Sequence, residues 1–335
     1  MSSLNRILLS AAGFVIIVAG MRVASPILVP FLLAFFIAIL CAPPLFWLQQ
    51  KKVPQPLAIV ILVLGIAVIG GLMATLLGSS LNSFINSLPT YQAQLEQWTT
   101  SFLPWLDKLG VDVSTSALRG IFNPGTAVQM AANLFTTLSN MLTNTVMIML
   151  TVVFLLLEIS SIPQKLDAAF RRPIESVEHI NSFISSVNRY LTIKTVISLG
   201  TGLVVFIFLK ILGLHHALLW GVLAFLLNYI PNIGSIIAAV PPVLLGLVQL
   251  GPWQALIIAG GFIAINVTIG NFIEPRYMGK RLGLSTLVVF LSLVFWGWVL
   301  GPVGMLLSVP LTMIVKIALA SSEDTRWIAI MLGSE

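Results

Sequence analysis

The stretch 228–235, with the sequence NYIPNIGS, places uncharged polar groups inside a region that is otherwise almost entirely apolar. Asn228, Asn232 and Ser235 carry amide and hydroxyl groups that donate and accept hydrogen bonds. Pro231 and Gly234 interrupt a helix, which frees backbone carbonyls and amides beside them. Together these groups suit a neutral polyhydroxylated solute, which requires no fixed protein charge. The alternatives are amides that only bridge neighbouring helices and a tight turn that only joins two of them.

A second break, at Gly301, Pro302 and Gly304, follows two tryptophans, Trp296 and Trp298. If this segment crosses the membrane fully, the tryptophans belong to an interfacial aromatic belt. If it re-enters the membrane, their indole faces are placed to stack on a sugar-like ligand, and their N–H groups need partners. The sequence leaves both alternatives open.

Two further amides and three charged residues complete the candidate set. The spacing favours Asn266 and Asn271 as a pair that faces inward, with helix-to-helix contact as the alternative. Glu274, beside Arg276, is a candidate for coupling or gating, because charge within a membrane is costly and marks function by default. Glu158, at the end of an apolar segment, is a candidate of the same kind. The alternatives are an interfacial salt bridge for the first pair and a solvated interfacial carboxylate for Glu158.

The composition identifies the elements that must position these residues. Of the 335 residues, 58% are hydrophobic and only 8% are charged. The mean hydropathy of +1.04 lies far outside the range of soluble globular proteins. We therefore predict an all-α, polytopic integral membrane protein. The net charge of +6 is interpreted as a marker of membrane orientation, and no nucleic acid is expected as a partner.

Stretches of about 20 apolar residues predict the membrane-spanning helices. Two longer apolar regions, 214–250 and 284–320, are broken near their centres and predict hairpins, either re-entrant or built from short complete spans. Most of the 17 Lys and Arg residues fall on one side when the N-terminus is placed inside, so both termini are expected in the cytoplasm. The full spans are predicted at 7–25, 27–48, 56–80, 139–159, 195–213 and 253–273.

The same pattern divides the chain into five segments. Residues 1–80 form the N-terminal transmembrane helices, and 81–138 form an extracytoplasmic amphipathic helical region. Residues 139–194 hold the fourth transmembrane helix and a cytoplasmic amphipathic helix, and 195–320 form the transport core. Residues 321–335 are a cytoplasmic tail. The surface helices offer contacts for a homo-oligomer of unknown subunit number, in addition to contacts with the lipid bilayer.

The C-terminal half also resembles itself at an offset of 70 residues. KILGL at 210–214 aligns with KRLGL at 280–284, and Phe225 and Gly234 align with Phe295 and Gly304. One helix plus one hairpin crosses the membrane an odd number of times, so this pattern indicates an inverted repeat, as in many transporters.

Enzymatic functions are not indicated. The chain has no glycine-rich phosphate loop followed by a lysine and no recognisable nucleophile. His215 and His216 have no carboxylate or cysteine at ligand spacing, and the single cysteine, Cys41, lies in an apolar run. We expect no metal site and no cofactor.

The chain resembles the autoinducer-2 exporter family of bacterial inner-membrane transporters. The resemblance is carried by TVVFLLLE at 151–158, LNYIPNIGSIIAAVPP at 227–242, and the stretch from GNFIEPRYMGKRLGL to VPLTMIVKIAL at 270–319. It implies a multi-pass protein of the bacterial inner membrane that exports a small polar quorum-sensing signal, autoinducer-2 or its precursor. Family members are also linked to sodium or lithium export in exchange for protons, so a cation/proton antiporter is the second hypothesis. A membrane scaffold without transport is the third.

Overall fold

The structure is a computed structural model, and it describes residues 3–108, 145–158, 173–231, 233–278, 284–320 and 323–333. Within these ranges the chain forms helices and no strand, so the predicted all-α membrane fold is confirmed. A π-helical segment, Ile269–Ile273, lies between two of the α-helices. The α-helices are α1 (Ser3–Val23), α2 (Ser25–Gln50), α3 (Gln55–Lys108), α4 (Thr145–Glu158), α5 (Pro173–Ile211), α6 (Ala217–Leu227), α7 (Ile233–Leu250), α8 (Pro252–Thr268), α9 (Glu274–Met278), α10 (Thr286–Leu306), α11 (Ser308–Ala320) and α12 (Arg326–Met331).

Six helices in the described ranges are long and apolar enough to cross a membrane, and four of them overlap predicted spans. The predicted span 7–25 falls largely within α1, Ser3–Val23, and the predicted span 139–159 is described only from Thr145 to Glu158. The other two are α7, in which Pro241 and Pro242 lie inside the helix, and α10, which contains the first arm of the second hairpin and continues past a kink at Gly301. The six are Ser25–Gln50, Gln55–Ser87, Val187–Ile211, Ile233–Leu250, Pro252–Tyr277 and Thr286–Leu306.

Two helices continue past the membrane segments that the hydropathy predicts. α3 is 54 residues long and runs beyond the predicted span 56–80 into the predicted amphipathic region. The rest of that region, 109–138, lies outside the described residues. α5 is 39 residues long and joins the predicted cytoplasmic amphipathic helix to the following span. At both places the composition changes while the helix continues, so hydropathy marks a change of environment and not a helix end.

The described chain separates into two compact units. One contains Met1–Ala67, Met141–Lys194 and Met278–Glu335, and the other contains Val68–Asn140 and Thr195–Tyr277. In the first unit α2, the start of α3 and α4 share a core of small and branched side chains. Small residues allow membrane helices to approach closely where the hydrophobic effect is absent. The wholly buried members of this core are Ala34, Leu45, Ala58, Val152 and Leu156.

Many large apolar side chains point outward from the helices. Leu199 on α5, Leu256 and Ile263 on α8 and Leu287 on α10 each expose more than half of their surface. A soluble protein would not carry so many, whereas lipid tails accept them without penalty.

The five-segment division of the chain remains a prediction.

Candidate functional site

The first broken hairpin consists of α6, the connection 228–232 and α7. α6 is only 11 residues long and ends at Leu227, where the chain makes a tight turn. The backbone N–H of Ile230 donates to Leu227 O at 2.9 Å, and that of Ile233 donates to Pro231 O at 2.6 Å. Since proline has no N–H and fixes its own φ, the helix stops here and a new one starts. The predicted break is confirmed.

The hairpin is held against α5 by a close contact between two glycines. A Cβ atom added to Gly202 of α5 would lie 2.7 Å from Gly221 O, and one added to Gly221 of α6 would lie 2.8 Å from Gly202 O. Only glycine allows two helix backbones to approach so closely. Two turns beyond Gly221 is Asn228, and one turn before Gly202 is Ser198. The crossing therefore brings these two polar residues together.

The polar groups at the break bond to α5 and not to one another. Asn228 is 8% exposed, and its Nδ2 donates to Ser198 Oγ at 2.9 Å. Next to it, the hydroxyl of Tyr229 donates to Thr195 Oγ1 at 2.8 Å. Asn228 Oδ1 accepts no hydrogen bond from any described residue. The cluster contains amide, hydroxyl and phenol groups and no carboxylate.

The tip of the hairpin depends on Gly234. A Cβ atom added there would overlap Leu227 O and lie 3.0 Å from Ile230 Cβ. Gly234 is buried, and its backbone N–H donates to Ile230 O at 3.3 Å. Glycine is therefore required by the close approach of α7 to the end of α6. Pro231 and Ser235 are partly buried, and Ser235 interacts with another residue. Asn232 lies outside the described residues.

The open end of this hairpin is closed by side chains. Gln249, near the end of α7, accepts from the backbone N–H of His215 at 2.9 Å and donates to Gly213 O at 2.9 Å. Trp220, which is wholly buried in α6, donates from Nε1 to His215 O at 3.2 Å. These bonds fix the chain that leads into α6 to the end of α7.

An aromatic cluster joins the far part of α3 to this junction. The hydroxyl of Tyr91 lies 3.1 Å from His215 Nδ1, and the ring of Phe84 meets those of His216 and Trp220 edge-on. His216 has a left-handed backbone, with φ of 58°. Burial, and then the nearby His215, hold the pKa of His216 below its usual range. No group of metal ligands occurs among the described residues.

The second broken hairpin consists of α10 and α11, and its break is built differently. Gly301 has φ of 69° and ψ of −154°, a conformation open essentially to glycine alone. Pro302 follows and starts the returning arm. A Cβ atom added to Gly304 would overlap Trp296 O and lie 2.8 Å from Leu300 Cβ. The predicted break is confirmed, and glycine again allows the arms to touch.

The two tryptophans beside this break have different surroundings. Trp296 is 8% exposed, and its Nε1 donates to Thr312 Oγ1 at 3.0 Å. Trp298 is 54% exposed, and the guanidinium of Arg22 lies 4.5 Å from its ring centroid. Because Arg22 precedes the turn between α1 and α2, Trp298 reaches the level of that turn. An aromatic ring with a cation over it is typical of a membrane interface.

The remaining candidates lie on or near the π-helical segment and at the end of α4. Asn266 is partly buried and Asn271 is exposed, so the chain does not enclose the predicted pair. Glu274 directly follows the π-helical segment, is partly buried and has a partner, whereas Arg276 is exposed. Glu158 is exposed at the end of α4 and also has a partner. Their functional roles remain predictions.

The sequence analysis missed the residues of α5 that meet the first hairpin. Thr195 and Ser198 bind its polar groups, and Thr201, one turn further on, is also buried. Lys194 precedes them and is only 3% exposed, although it ends the segment 139–194, whose second part was predicted to be a cytoplasmic amphipathic helix. Hydroxyls at spacings of three residues in an otherwise apolar segment were the available signal.

Taken together, the fold and this site define a multi-pass α-helical membrane protein with a buried, uncharged polar cluster at a helix break. The sequence profile of the AI-2E family transporter matches residues 12–324. The AI-2 transport protein TqsA of Escherichia coli K12 is 45% identical over 98% of this chain and 95% of its own length. A Haemophilus influenzae protein whose name states only a transport role is 42% identical, over 99% of this chain and 97% of its own length.

The chain belongs to the AI-2E transporter family. It is therefore a membrane transporter and not an enzyme, as predicted. The resemblance drawn from the motifs is confirmed, and the similarity to the autoinducer-2 transport protein extends along nearly the whole chain.

Proposed function

We propose that this transporter exports a small neutral signal, autoinducer-2 or its precursor, across the bacterial inner membrane, with the first broken hairpin as the solute site. The observation that carries the proposal is the polar cluster of the buried Asn228 and Ser198 with the partly buried Tyr229 and Thr195. Buried polar groups in a membrane protein are expensive and mark solute pathways by default. A polar cluster without a carboxylate favours a neutral solute over a cation.

The hydrogen-bonding capacity of this cluster fits a hydroxylated ligand. The Asn228 amide donates to Ser198, while its Oδ1 has no partner among the described residues. The hydroxyl oxygens of Ser198 and Thr195 accept the bonds from Asn228 and Tyr229. A hydroxyl group of a solute at the break would donate a hydrogen bond to Asn228 Oδ1. We assign autoinducer-2 as the cargo because the E. coli relative is named for its transport. We assign outward transport and a quorum-sensing role because of the family resemblance.

The test must separate solute binding from simple helix bridging. Asn228→Ala and Ser198→Ala both remove the same interhelical hydrogen bond, worth about 0.6 kcal/mol in membrane proteins. Only Asn228→Ala also removes the carbonyl oxygen that we assign to the solute. We would load proteoliposomes with the autoinducer-2 precursor, measure efflux for both variants and the wild type, and record thermal unfolding in detergent.

We expect Asn228→Ala to lower precursor efflux about tenfold and Ser198→Ala to lower it less, with similar small changes in unfolding temperature. Equal losses of efflux in the two variants would mean that the amide only joins helices. Unchanged efflux in both would remove the first hairpin from the solute path.

The cation/proton antiporter is the second candidate, and one observation favours it. Glu274 follows a π-helical segment, and such segments are frequent at functional sites because they offset the hydrogen-bond ladder. If Glu274 carries the coupled proton, Glu274→Gln abolishes sodium efflux driven by a proton gradient. Under the exporter proposal the same variant moves the precursor at the wild-type rate. A scaffold, the third hypothesis, would show no flux of either solute.

The topology that we propose places both termini in the cytoplasm. The first arm of the first hairpin is about 16 Å long, about half the hydrocarbon thickness, which favours a re-entrant hairpin there. We also propose a homo-oligomer formed through the surface helices. Asn232, Asn266, Asn271, Trp296, Gly301 and Pro302 remain candidates for the solute path, and Arg276 and Glu158 for gating.

A further inference from the structure

One buried hydroxyl in the second hairpin has no hydrogen-bond partner among the residues that the structure describes. It belongs to Ser308, the first residue of α11, which is 0% exposed. Serines in membrane helices normally bond to a carbonyl of their own helix. Ser292 on α10, which is also buried at 6% exposure, does so by donating to Val289 O at 2.8 Å. The free hydroxyl of Ser308 therefore calls for a ligand or another explanation.

Three residues of the returning arm face Trp296. Gly304, Ser308 and Thr312 follow one another at a spacing of four residues. Leu307 has a non-helical backbone (φ −97°, ψ 7°), but Leu307 N donates to Val303 O and Leu311 N donates to Leu307 O, both at 2.9 Å, so the four-residue hydrogen-bond spacing is kept on both sides of it. All three residues are therefore on one face of this arm.

The two outer members of this row fix what the middle one faces. Gly304 packs on the backbone oxygen of Trp296, and Thr312 accepts a hydrogen bond from its indole nitrogen. Ser308 lies between them and is consequently directed at the same tryptophan. The hydroxyl of Thr312 uses an acceptor site for the indole and keeps its own O–H to donate.

We propose that Ser308 and Thr312 bind a hydroxyl group of a neutral solute against the indole of Trp296, as a second solute site of the transporter. The inference rests on the proposed function, since it assigns the same class of cargo to a separate site. Two hydroxyls beside an aromatic ring are typical of sites for hydroxylated compounds. Lys316 follows Thr312 by one turn, which disfavours a cation. Because Ser308 is fully buried, binding requires the two arms to separate.

The experiment compares Ser308→Ala with Ser292→Ala, the same change at another buried serine, on the first arm of the hairpin. We would measure the concentration dependence of precursor efflux from proteoliposomes and thermal unfolding in detergent. We expect Ser308→Ala to raise KM about three- to tenfold without lowering the unfolding temperature. Ser292→Ala should leave KM unchanged.

Three outcomes decide the matter. A wild-type KM in Ser308→Ala, together with a higher unfolding temperature, identifies the hydroxyl as a packing defect and overturns the site. An equal rise of KM in both variants also overturns it, because the effect is then general loosening of the hairpin. If the wild type moves no precursor, that result contradicts the proposed function but not the Ser308 site. The site is then judged by whether erythritol protects the wild type, but not Ser308→Ala, from thermal unfolding, and equal protection overturns it.

Discussion

The two broken hairpins share a tip but differ in length and in where their polar groups bond. The first arm of the first hairpin has 11 residues, about 16 Å, and the first arm of the second, 286–300, is about 22 Å long. In the first, Asn228 and Tyr229 bond to α5. In the second, Trp296 bonds to Thr312 of its own returning arm. At the breaks, polar residues of the first hairpin thus bond to a neighbouring helix, whereas Trp296 of the second bonds within its own hairpin.

The tips are alike in detail, which supports the internal repeat. Gly234 packs on a carbonyl of the preceding arm and on the side chain four residues before it, Ile230. Gly304, its counterpart at an offset of 70 residues, packs on a carbonyl and on Leu300, again four residues before it. The conserved geometry lies in the backbone contact, while the polar residues around it differ. A shared scaffold therefore holds two different sets of chemical groups.

The largest effect is expected from filling either tip. Gly234→Ala and Gly304→Ala should each destabilise the protein by about 3 kcal/mol, because the added methyl group meets backbone and not a flexible side chain. Thermal unfolding in detergent measures the loss. Gly260→Ala on α8 is the control, since no heavy atom lies within 4 Å of the added Cβ. If one tip tolerates alanine and the other does not, the two tips are not equivalent.

The second change separates the hairpins by their backbones. Gly301→Ala should cost about 1–3 kcal/mol from conformational strain alone, because nothing lies within 4 Å of the added Cβ. Gly65→Ala, which has open space and an ordinary helical backbone, is the matched control. The described connection of the first hairpin, 228–231, contains no residue with positive φ. Stability unchanged in Gly301→Ala would show that the second break does not depend on this conformation.

The smallest effect concerns pH and only the first hairpin. The folded state holds the pKa of His216 below its usual value of about 6.5, so the unfolded chain binds the proton more readily. Stability is therefore complete above about pH 6.5 and is lost as the pH falls toward the lowered pKa. Burial raises the pKa of Tyr91, whose hydroxyl lies against His215, so Tyr91 stays protonated throughout. His215 also faces His216, while Phe84 and Trp220 do not titrate.

Unfolding temperatures at pH 7 and pH 5 would measure this loss. His216→Asn should reduce the pH dependence, since asparagine tolerates the left-handed backbone and carries no proton in this range. A pH dependence that stays the same in His216→Asn would assign the titration to another group.

The sequence predicted the breaks correctly because their signals are local. Pro231 removes a donor, and Gly301 and Gly304 permit backbone that other residues avoid, wherever the segment lies. The partners of the polar residues were not predictable in this way. Ser198 is 30 residues from Asn228, and only the crossing at Gly202 and Gly221 brings the two together. Ser308 gave no signal at all, since an isolated serine in an apolar segment is ordinary.

The sequence alone determined the membrane environment, the helical class and the family, because hydropathy, helix breakers and extended motifs are properties of the chain itself. Only the tertiary structure decided that Trp296 is buried and bonded while Trp298, two residues later, is exposed beside Arg22. It also decided that Asn228 bonds to a serine and that the hydroxyl of Ser308 makes no hydrogen bond within the described ranges. A side chain's partner depends on how distant helices approach each other, and those approaches are set by backbone contacts between glycines that no local pattern records.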